Sequence, residues 1–308
     1  MRNTMRRACA LLLTILLGSP GAVQAGSLLL KKAWIEKFKN RATIEVNFSI
    51  DVAKPSPNSI SNDGKDGDLH VAGRAPLVGL PMVAEIMNAK GQSAARSFVK
   101  ANTGQPEVRL VGAWRLWFEH PPAGKKEQEQ SPNLDKLTRS DPPHVFEIHP
   151  ISEIGPHDIR GSFVEIPKFE AYAAGKAFPY FENKDVTVQA TDSGVRLIST
   201  KAQYNYVEFR IELTQNPVKR DDGYTVLAIV KDAEGMPVVP APRRMVFVGG
   251  TKPADKVKTL KKGDEMHVLG IPRINLFEIA KLSKTAGPLG ISRKLPYEMI
   301  IVGLFEEE

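Results

Sequence analysis

Residues 43–51 read Thr-Ile-Glu-Val-Asn-Phe-Ser-Ile-Asp and alternate polar with apolar side chains without a break. A period of two is typical of a β-strand that buries one face and turns the other to solvent. Similar strand-like runs follow along the chain, and the longest of them cover residues 107–120 and 144–154. Strands at such short intervals, with few helical stretches between them, predict a mainly β protein.

The predicted elements follow the same order in two parts of the chain, residues 41–154 and residues 204–305. Each part has three strands, a short helix and two further strands. Five strands with a helix before the fourth is the element order of an OB-type barrel. We therefore predict two successive OB-like β-barrel domains with short helices. The predicted segments are a signal peptide at 1–25, a first β-barrel domain at 26–155, a connecting segment at 156–203 and a second OB-like β-barrel domain at 204–308.

The first 25 residues have the composition of a secretory signal peptide. Arg2, Arg6 and Arg7 precede an apolar run at residues 8–18, which is too short to span a membrane, and small residues lead up to Ala25. We predict cleavage near Ala25 and export to the periplasm or the medium. No second apolar run of spanning length follows, so the mature chain is predicted to be soluble and to lack a membrane span.

Cysteine content and charge narrow the chemistry of the mature chain. Cys9, the only cysteine, lies inside the predicted signal peptide, so the mature chain has no disulfide, thiol nucleophile or cysteine metal ligand. Removal of the three arginines lowers the formal charge from +7 to about +4. So mild an excess permits binding of a polyanion but does not argue for it.

Three blocks mark the first half of the chain: Asp66-Gly-Asp-Leu-His70, Val83-Ala-Glu85 and Glu147-Ile-His-Pro150. In these blocks the sequence resembles a set of uncharacterised bacterial proteins that share D-G-D-x-H, V-A-E and E-x-H-P. The resemblance covers residues 63–154 and implies one compact domain. Residues 204–305 also resemble bacterial single-strand-binding OB domains in outline, which implies an OB fold there.

Five of the six histidines lie between residues 70 and 157, close to several carboxylates. Residues two apart on a strand share a face, so Asp66, Asp68 and His70 are predicted to point the same way. Glu147 and His149 form a second such pair. If these strands meet, their nitrogen and oxygen donors suit zinc, manganese or iron(II). The candidate ligands of a divalent metal, zinc or manganese, are Asp68, His70, Glu85 and His149.

Two other interpretations of these residues stay open. Asp66 and Asp68 can be turn residues that accept hydrogen bonds from backbone N–H groups, and Glu147 with His149 can be a structural pair. Pro150 can mark the point where a strand leaves its sheet, because proline has no N–H to donate. A structural polar network and a metal-free ligand site are therefore alternatives to a metal site.

The most aromatic stretch covers residues 114–120. Alternation places Arg115 and Trp117 on the same face, where an exposed Trp beside an Arg would suit stacking on a sugar or a base. The alternative is that Trp117 packs beneath the loop at residues 121–143. The candidate ligand-binding residues are Asp66, Asp68, His70, Glu85, Arg115, Trp117, Glu147 and His149.

The sequence contains no Gly-x-Ser-x-Gly elbow, His-Glu-x-x-His pair, phosphate loop or Rossmann glycine pattern. We therefore favour a non-catalytic extracytoplasmic binding or interaction protein with a small-molecule, saccharide or protein ligand. One alternative is a metal-dependent hydrolase that uses the cluster in the first domain. Another is a single-stranded nucleic-acid-binding OB protein, although export makes nucleic acid a disfavoured partner. For a binding protein and for a hydrolase, the first domain is predicted to hold the site.

Overall fold

The structure is a computed structural model that describes residues 25–61, 65–122 and 126–305. The predicted signal peptide, except for Ala25, lies outside the described residues, so export stays a prediction. Within the described ranges, no helix combines the length and the apolar composition needed to cross a membrane.

Strands dominate the described chain, and the five α-helices are short. The helices are α1 (Lys32–Phe38), α2 (Ser93–Asn102), α3 (Ala174–Asn183), α4 (Lys252–Val257) and α5 (Leu276–Thr285). The strands up to residue 158 are β1 (Ala25–Leu30), β2 (Thr43–Ala53), β3 (Ile60–Ser61), β4 (Lys65–Asp66), β5 (Leu69–Arg74), β6 (Met82–Ile86), β7 (Val108–His120), β8 (Glu127–Glu129), β9 (His144–Ile154) and β10 (His157–Asp158). The later strands are β11 (Tyr172–Ala173), β12 (Asp185–Ala190), β13 (Val195–Thr200), β14 (Val207–Leu213), β15 (Val218–Arg220), β16 (Gly223–Lys231), β17 (Arg243–Val248), β18 (Glu265–Ile274), β19 (Ile291–Lys294) and β20 (Tyr297–Leu304).

The first barrel is a five-stranded sheet in the order β9-β6-β5-β2-β7, closed by pairing between β7 and β9. Its opening strand, β2, buries Ile44, Val46 and Phe48 in the core, as the alternation at residues 43–51 predicts. Helix α2 lies between the third and fourth strands of this barrel. The strand order and the helix position together match the predicted OB-like barrel.

The second barrel repeats this plan with β14, β18, β20, β17 and β16, closed by pairing between β14 and β16. Helix α4 occupies the position between its third and fourth strands. In both barrels the third and fifth strands run parallel, β6 beside β9 and β17 beside β20. The prediction of a mainly β fold with two OB-like barrels is confirmed.

A third sheet, which the sequence did not predict, joins distant parts of the chain in the order β19-β12-β13-β1-β8. The first strand of the described chain pairs with β13 through six residue pairs, and β8 adds to its other edge. Because β19 comes from the segment between the last two strands of the second barrel, this sheet connects both barrels to the segment between them.

Two buried arginines join the barrels directly. Arg115 of β7 donates through Nε to the carbonyl of Pro272 in β18, at 3.0 Å. Arg273 of β18 donates to the carbonyl of Trp114 at 3.0 Å and lies 3.6 Å from the centroid of the Trp114 ring. Each barrel thus donates hydrogen bonds to backbone carbonyls of the other. These bonds are directional, so they fix the position of one barrel relative to the other.

Candidate metal centre

Asp68, Glu85 and His149 meet at the outer surface of the first barrel, and their ligand atoms all lie within 4.8 Å of one another. Asp68 directly precedes β5, Glu85 lies in β6 and His149 lies in β9. These three strands are neighbours in the sheet, so the barrel topology brings the three side chains together. All three are buried, with exposed fractions of 0%, 5% and 0%.

The spacing of the three residues fits a single cation. Nε2 of His149 lies 3.0 Å from Oδ2 of Asp68 and 3.8 Å from Oε2 of Glu85. Donor atoms that share a tetrahedral zinc with bonds of about 2.0–2.1 Å are about 3.4 Å apart. The observed separations bracket that value, so only small side-chain movements are needed to place an ion between these atoms.

A bulge in β9 lies at His149 itself. Gly112 of β7 pairs with Ile151, and Trp114 pairs with Ile148, so β9 has one more residue than β7 between the two pairs. Such a bulge changes the direction of a side chain and is common next to functional sites. The strand continues to Ile154, so Pro150 does not end it.

Burial and neighbouring charges shift the pKa values of all three residues of the cluster. Burial raises the pKa of Asp68 to about 7, and the neighbouring charge of Asp66 adds to the effect. Burial also raises the pKa of Glu85 to about 7. Burial alone would lower the pKa of His149, but the carboxylates of Glu85 and Asp68 outweigh it and hold that pKa well above its usual value. Burial therefore favours the protonated form of both carboxyl groups, and a bound metal ion would favour the deprotonated form instead.

Two polar atoms of the cluster have no hydrogen-bond partner among the described residues. They are Oδ1 of Asp68 and Nδ1 of His149, and both are buried. A buried polar atom without a partner is costly in a folded protein and calls for an explanation. For Oδ1 of Asp68, a bound ion would provide one.

Glu147 stands beside the cluster in a supporting position. Its carboxylate accepts hydrogen bonds from Arg115 and, at 3.1 Å, from Nε2 of His144. Burial would raise the pKa of Glu147, but the charges of Arg115 and His144 outweigh it and hold that pKa well below its usual value. Its Oε2 lies 3.6 Å from Nδ1 of His149, where a carboxylate can orient a ligating imidazole.

Tyr206, which sequence reasoning missed, completes the cluster from the other half of the chain. Its hydroxyl donates to Oδ2 of Asp68 at 2.5 Å and lies 2.8 Å from Nε2 of His149. The side chain is fully buried at the start of the second barrel. No local pattern marks it, because its partners lie at least 57 residues away in the sequence.

His70 and Asp66 lie at the edge of the cluster. His70 pairs with Glu85 across β5 and β6, with Nε2 at 3.5 Å from Oε2, and burial lowers its pKa. Asp66 accepts from the backbone N–H of Asp68 and from the amide of Asn58, both at 3.1 Å. Asp66 therefore accepts a backbone hydrogen bond in a turn, as one of the alternative interpretations of the sequence expected. His70 lies close enough to Glu85 to contact an ion that Glu85 binds.

A cavity of about 340 Å³ opens beside the cluster, and Glu85 and His70 lie in its wall. We call it the acidic cavity. Lys201 also lines it, and Arg115 pairs with two of its carboxylates, those of Glu119 and Glu147, from outside the lining. The carboxylates that line it are Asp66, Glu85, Glu119 and Glu147.

The aromatic stretch of β7 does not reach this cavity as a stacking surface. Trp117 is 1% exposed and packs edge-on against Phe181 of α3, with ring centroids 5.6 Å apart. Arg115 is also buried and holds Glu147, Glu119 and the second barrel. The two residues therefore support the cluster or the core, and neither is placed to stack on a ligand.

Comparison with known proteins gives only distant likenesses. No known protein family and no curated protein matches the sequence. Among solved structures, a murine DNA-binding protein bound to double-stranded DNA is 10% identical, with 83% of this chain and 100% of that chain covered and a TM-score of 0.19. The HINa domain of Ifi202 in complex with a 20-base-pair double-stranded DNA is 10% identical, with 82% and 99% covered and a TM-score of 0.17.

These comparisons run against one prediction. Nucleic acid was predicted to be a disfavoured partner, whereas both of these similar structures are complexes with double-stranded DNA. What those proteins bind is a property of those proteins. At TM-scores this low the likeness carries no argument about what the present chain binds.

Proposed function

We propose that this protein binds a divalent metal ion, zinc or manganese, through Asp68, Glu85 and His149 of the first barrel. The observation that supports the proposal is the convergence of three ligand atoms within 4.8 Å in a buried place. Two carboxylates and one imidazole are ligands that both metals accept. His70 lies beside Glu85 on the side of the acidic cavity, with Nε2 3.5 Å from Oε2, and Glu147 orients His149 from behind.

Metal-dependent hydrolysis is the second candidate, and the position of the acidic cavity favours it. A catalytic zinc has three protein ligands and leaves one position open to water or substrate. Here Glu85 and His70 line the cavity, so the open side of the ion would face it. A metal ion lowers the pKa of a bound water and thus supplies a nucleophile at neutral pH.

The proposal includes export of the mature chain. Its support is the order of positive, apolar and small residues over positions 1–25. Cleavage near Ala25 would leave the whole cluster in the mature protein.

Elemental analysis of the mature chain tests the metal site. We expect about one zinc or manganese ion per chain after loading and dialysis, and its loss in His149→Ala and in Asp68→Asn. Asp68→Asn is the sharper variant, because an amide oxygen can still accept from Tyr206 while the negative charge is removed. His267→Ala is the matched control, since His267 lies in the second barrel and pairs with Glu208.

Two results would contradict the proposal. One is a wild-type chain that retains no metal after loading. The other is equal metal content in wild type, Asp68→Asn and His149→Ala, which would leave the cluster as a structural polar network.

A further inference from the structure

A cavity of about 500 Å³ lies on the first barrel, between helix α2 and the chain that leaves β2. We call it the α2 cavity. Most of its remaining wall comes from residues 53–57. The helix lines it with side chains spaced three to four residues apart, which therefore share one face of the helix. These are Ser93, Arg96, Ser97, Lys100 and Thr103.

The lining of the α2 cavity contains positive side chains and, among the described residues, no negative ones. The positive side chains are Lys54, Arg96 and Lys100. Neither Arg96 nor Lys100 has a carboxylate partner within residues 25–61, 65–122 and 126–305, and Nζ of Lys54 donates to the neutral side chain of Asn58. The described protein therefore leaves the positive charge of this cavity unpaired, and such a cavity attracts anions.

Arg96 distinguishes the α2 cavity from an ordinary basic surface. Its Nε is buried and has no hydrogen-bond partner in the part of the chain that the structure describes. A buried donor without a partner is costly, and a guanidinium cannot lose its proton to reduce that cost. The arginines in the strands of the same barrel, Arg74, Arg109 and Arg115, each pair with a carboxylate. An anion in the cavity would give Arg96 an equivalent partner.

The groups in the lining indicate which anion fits. Three cations favour a group with two negative charges over a single carboxylate, because each attraction grows with the charge of the ligand. The hydroxyls of Ser93 and Ser97 are further donors. A phosphomonoester has a charge of about −1.5 to −2 at neutral pH and three acceptor oxygens, and arginine binds it with two parallel hydrogen bonds. The volume of the cavity is within the range of about 300–1,000 Å³ that is usual for small-molecule sites.

We propose that the α2 cavity binds a phosphomonoester group, with Arg96 and Lys100 as its main charged contacts. Soluble phosphate esters and lipid headgroups both carry this group, and the test below separates them. The unpaired, partly buried Arg96 in a cavity without described carboxylates carries the proposal. It does not depend on the metal site, because Asp68, Glu85 and His149 are not in the lining.

Isothermal titration calorimetry of the mature chain with inorganic phosphate and with phenyl phosphate tests the site. We expect one saturable site per chain for each probe. Arg96→Gln is expected to weaken binding about tenfold to hundredfold, the cost of losing a hydrogen bond between charged groups. Lys100→Gln, at an exposed position where folding is not at risk, is expected to weaken binding about threefold.

Sedimentation with phosphatidylcholine vesicles, with and without phosphatidic acid, identifies the source of the group. Binding that requires phosphatidic acid and is reduced in Arg96→Gln assigns the site to a lipid headgroup. Binding of phenyl phosphate without binding to the vesicles assigns it to a soluble ester.

Lys90→Gln is the matched control, because Lys90 is exposed in the helical turn before α2, lies outside the lining and removes the same charge. It should bind like wild type. The proposal is overturned if neither phosphate probe binds at millimolar concentration, if Arg96→Gln and Lys100→Gln both bind like wild type, or if Lys90→Gln loses as much affinity as they do. All three variants keep the metal ligands, so their metal content reports separately on the metal centre.

Discussion

The hydroxyl of Tyr206 lies 2.8 Å from Nε2 of His149, closer than the Glu85 carboxylate at 3.8 Å. It also donates to Oδ2 of Asp68. A hydroxyl in this position fixes the orientation of the Asp68 carboxylate, whose Oδ2 lies 3.0 Å from Nε2 of His149. The other oxygen, Oδ1, has no hydrogen-bond partner among the described residues.

We predict that Tyr206→Phe keeps the metal stoichiometry but weakens metal affinity by about 10- to 100-fold, the usual cost of losing a partner of a ligand. Competition with a chelator of known affinity measures the change. Tyr172→Phe is the control, because Tyr172 lines the acidic cavity but its hydroxyl makes no hydrogen bond to the cluster within the described part of the chain. Unchanged affinity in Tyr206→Phe would show that Asp68 needs no such support.

Strands β7 and β18 hold the barrels together through arginine side chains that donate hydrogen bonds to backbone carbonyls of the other barrel. Arg273 of β18 forms an ion pair with Glu298 of β20 at 2.7 Å, and both side chains are fully buried. The same guanidinium donates to carbonyls of the first barrel, including that of Ala42 at 3.3 Å. The interface therefore depends on a charge that is satisfied only when both barrels are in place.

We predict that Arg273→Met lowers the free energy of unfolding by about 3–5 kcal/mol, because it leaves buried Glu298 with only Arg244, at 3.1 Å, as a charged partner. The double variant Arg273→Met with Glu298→Gln should recover part of the loss, since position 298 then no longer buries a carboxylate that has lost Arg273. Arg293→Met, at an exposed position of β19, is the control. Denaturant unfolding measures all three, and a loss below about 1 kcal/mol in Arg273→Met would contradict the prediction.

The elements that the sequence predicted well are those with one buried face. Strands β2 and β14 bury alternate side chains in a barrel, so their period of two is visible in the sequence. Strand β8 reads Glu-Gln-Glu and has no such pattern, because its place depends on pairing with β1. The third sheet was missed for this reason.

In the candidate site, too, contacts marked by a local sequence pattern could be predicted, and contacts that depend on the packing of distant segments could not. Strand parity predicted that Asp68 and His149 could converge with Glu85 if their strands met, and all three lie in one barrel. Tyr206 could not be predicted, because its contact requires knowledge of how the second half of the chain packs on the first. The burial of Trp117 was also not fixed by parity, because the outer face of β7 is covered by α3.

The whole molecule separates two kinds of electrostatic environment. The first barrel gathers carboxylates and histidines around the acidic cavity, whereas a cavity of about 550 Å³ on the second barrel is lined by arginines and lysines, most of them paired with carboxylates. The mild net charge of the chain does not reveal this difference.

The pH dependence of folding provides a test at this scale. The folded pKa values of Asp68 and Glu85, about 7, lie above their usual 3.8 and 4.5, and that of His149 is raised as well. Groups with raised folded pKa values stabilise the metal-free protein below their unfolded pKa values, and this contribution is lost as the pH rises through about 7. Metal ions need the deprotonated ligands, so their affinity rises over the same range.

We predict that saturating zinc or manganese raises Tm by about 5 °C at pH 8 and by clearly less at pH 6. A metal at a hundredfold excess over Kd stabilises the folded chain by about 2.7 kcal/mol, which corresponds to a shift of this size. Thermal unfolding at both pH values, with Asp68→Asn as a control that should show no metal effect, measures this. A shift that is equal at both pH values, or that persists in Asp68→Asn, would mean that the ion binds outside the cluster.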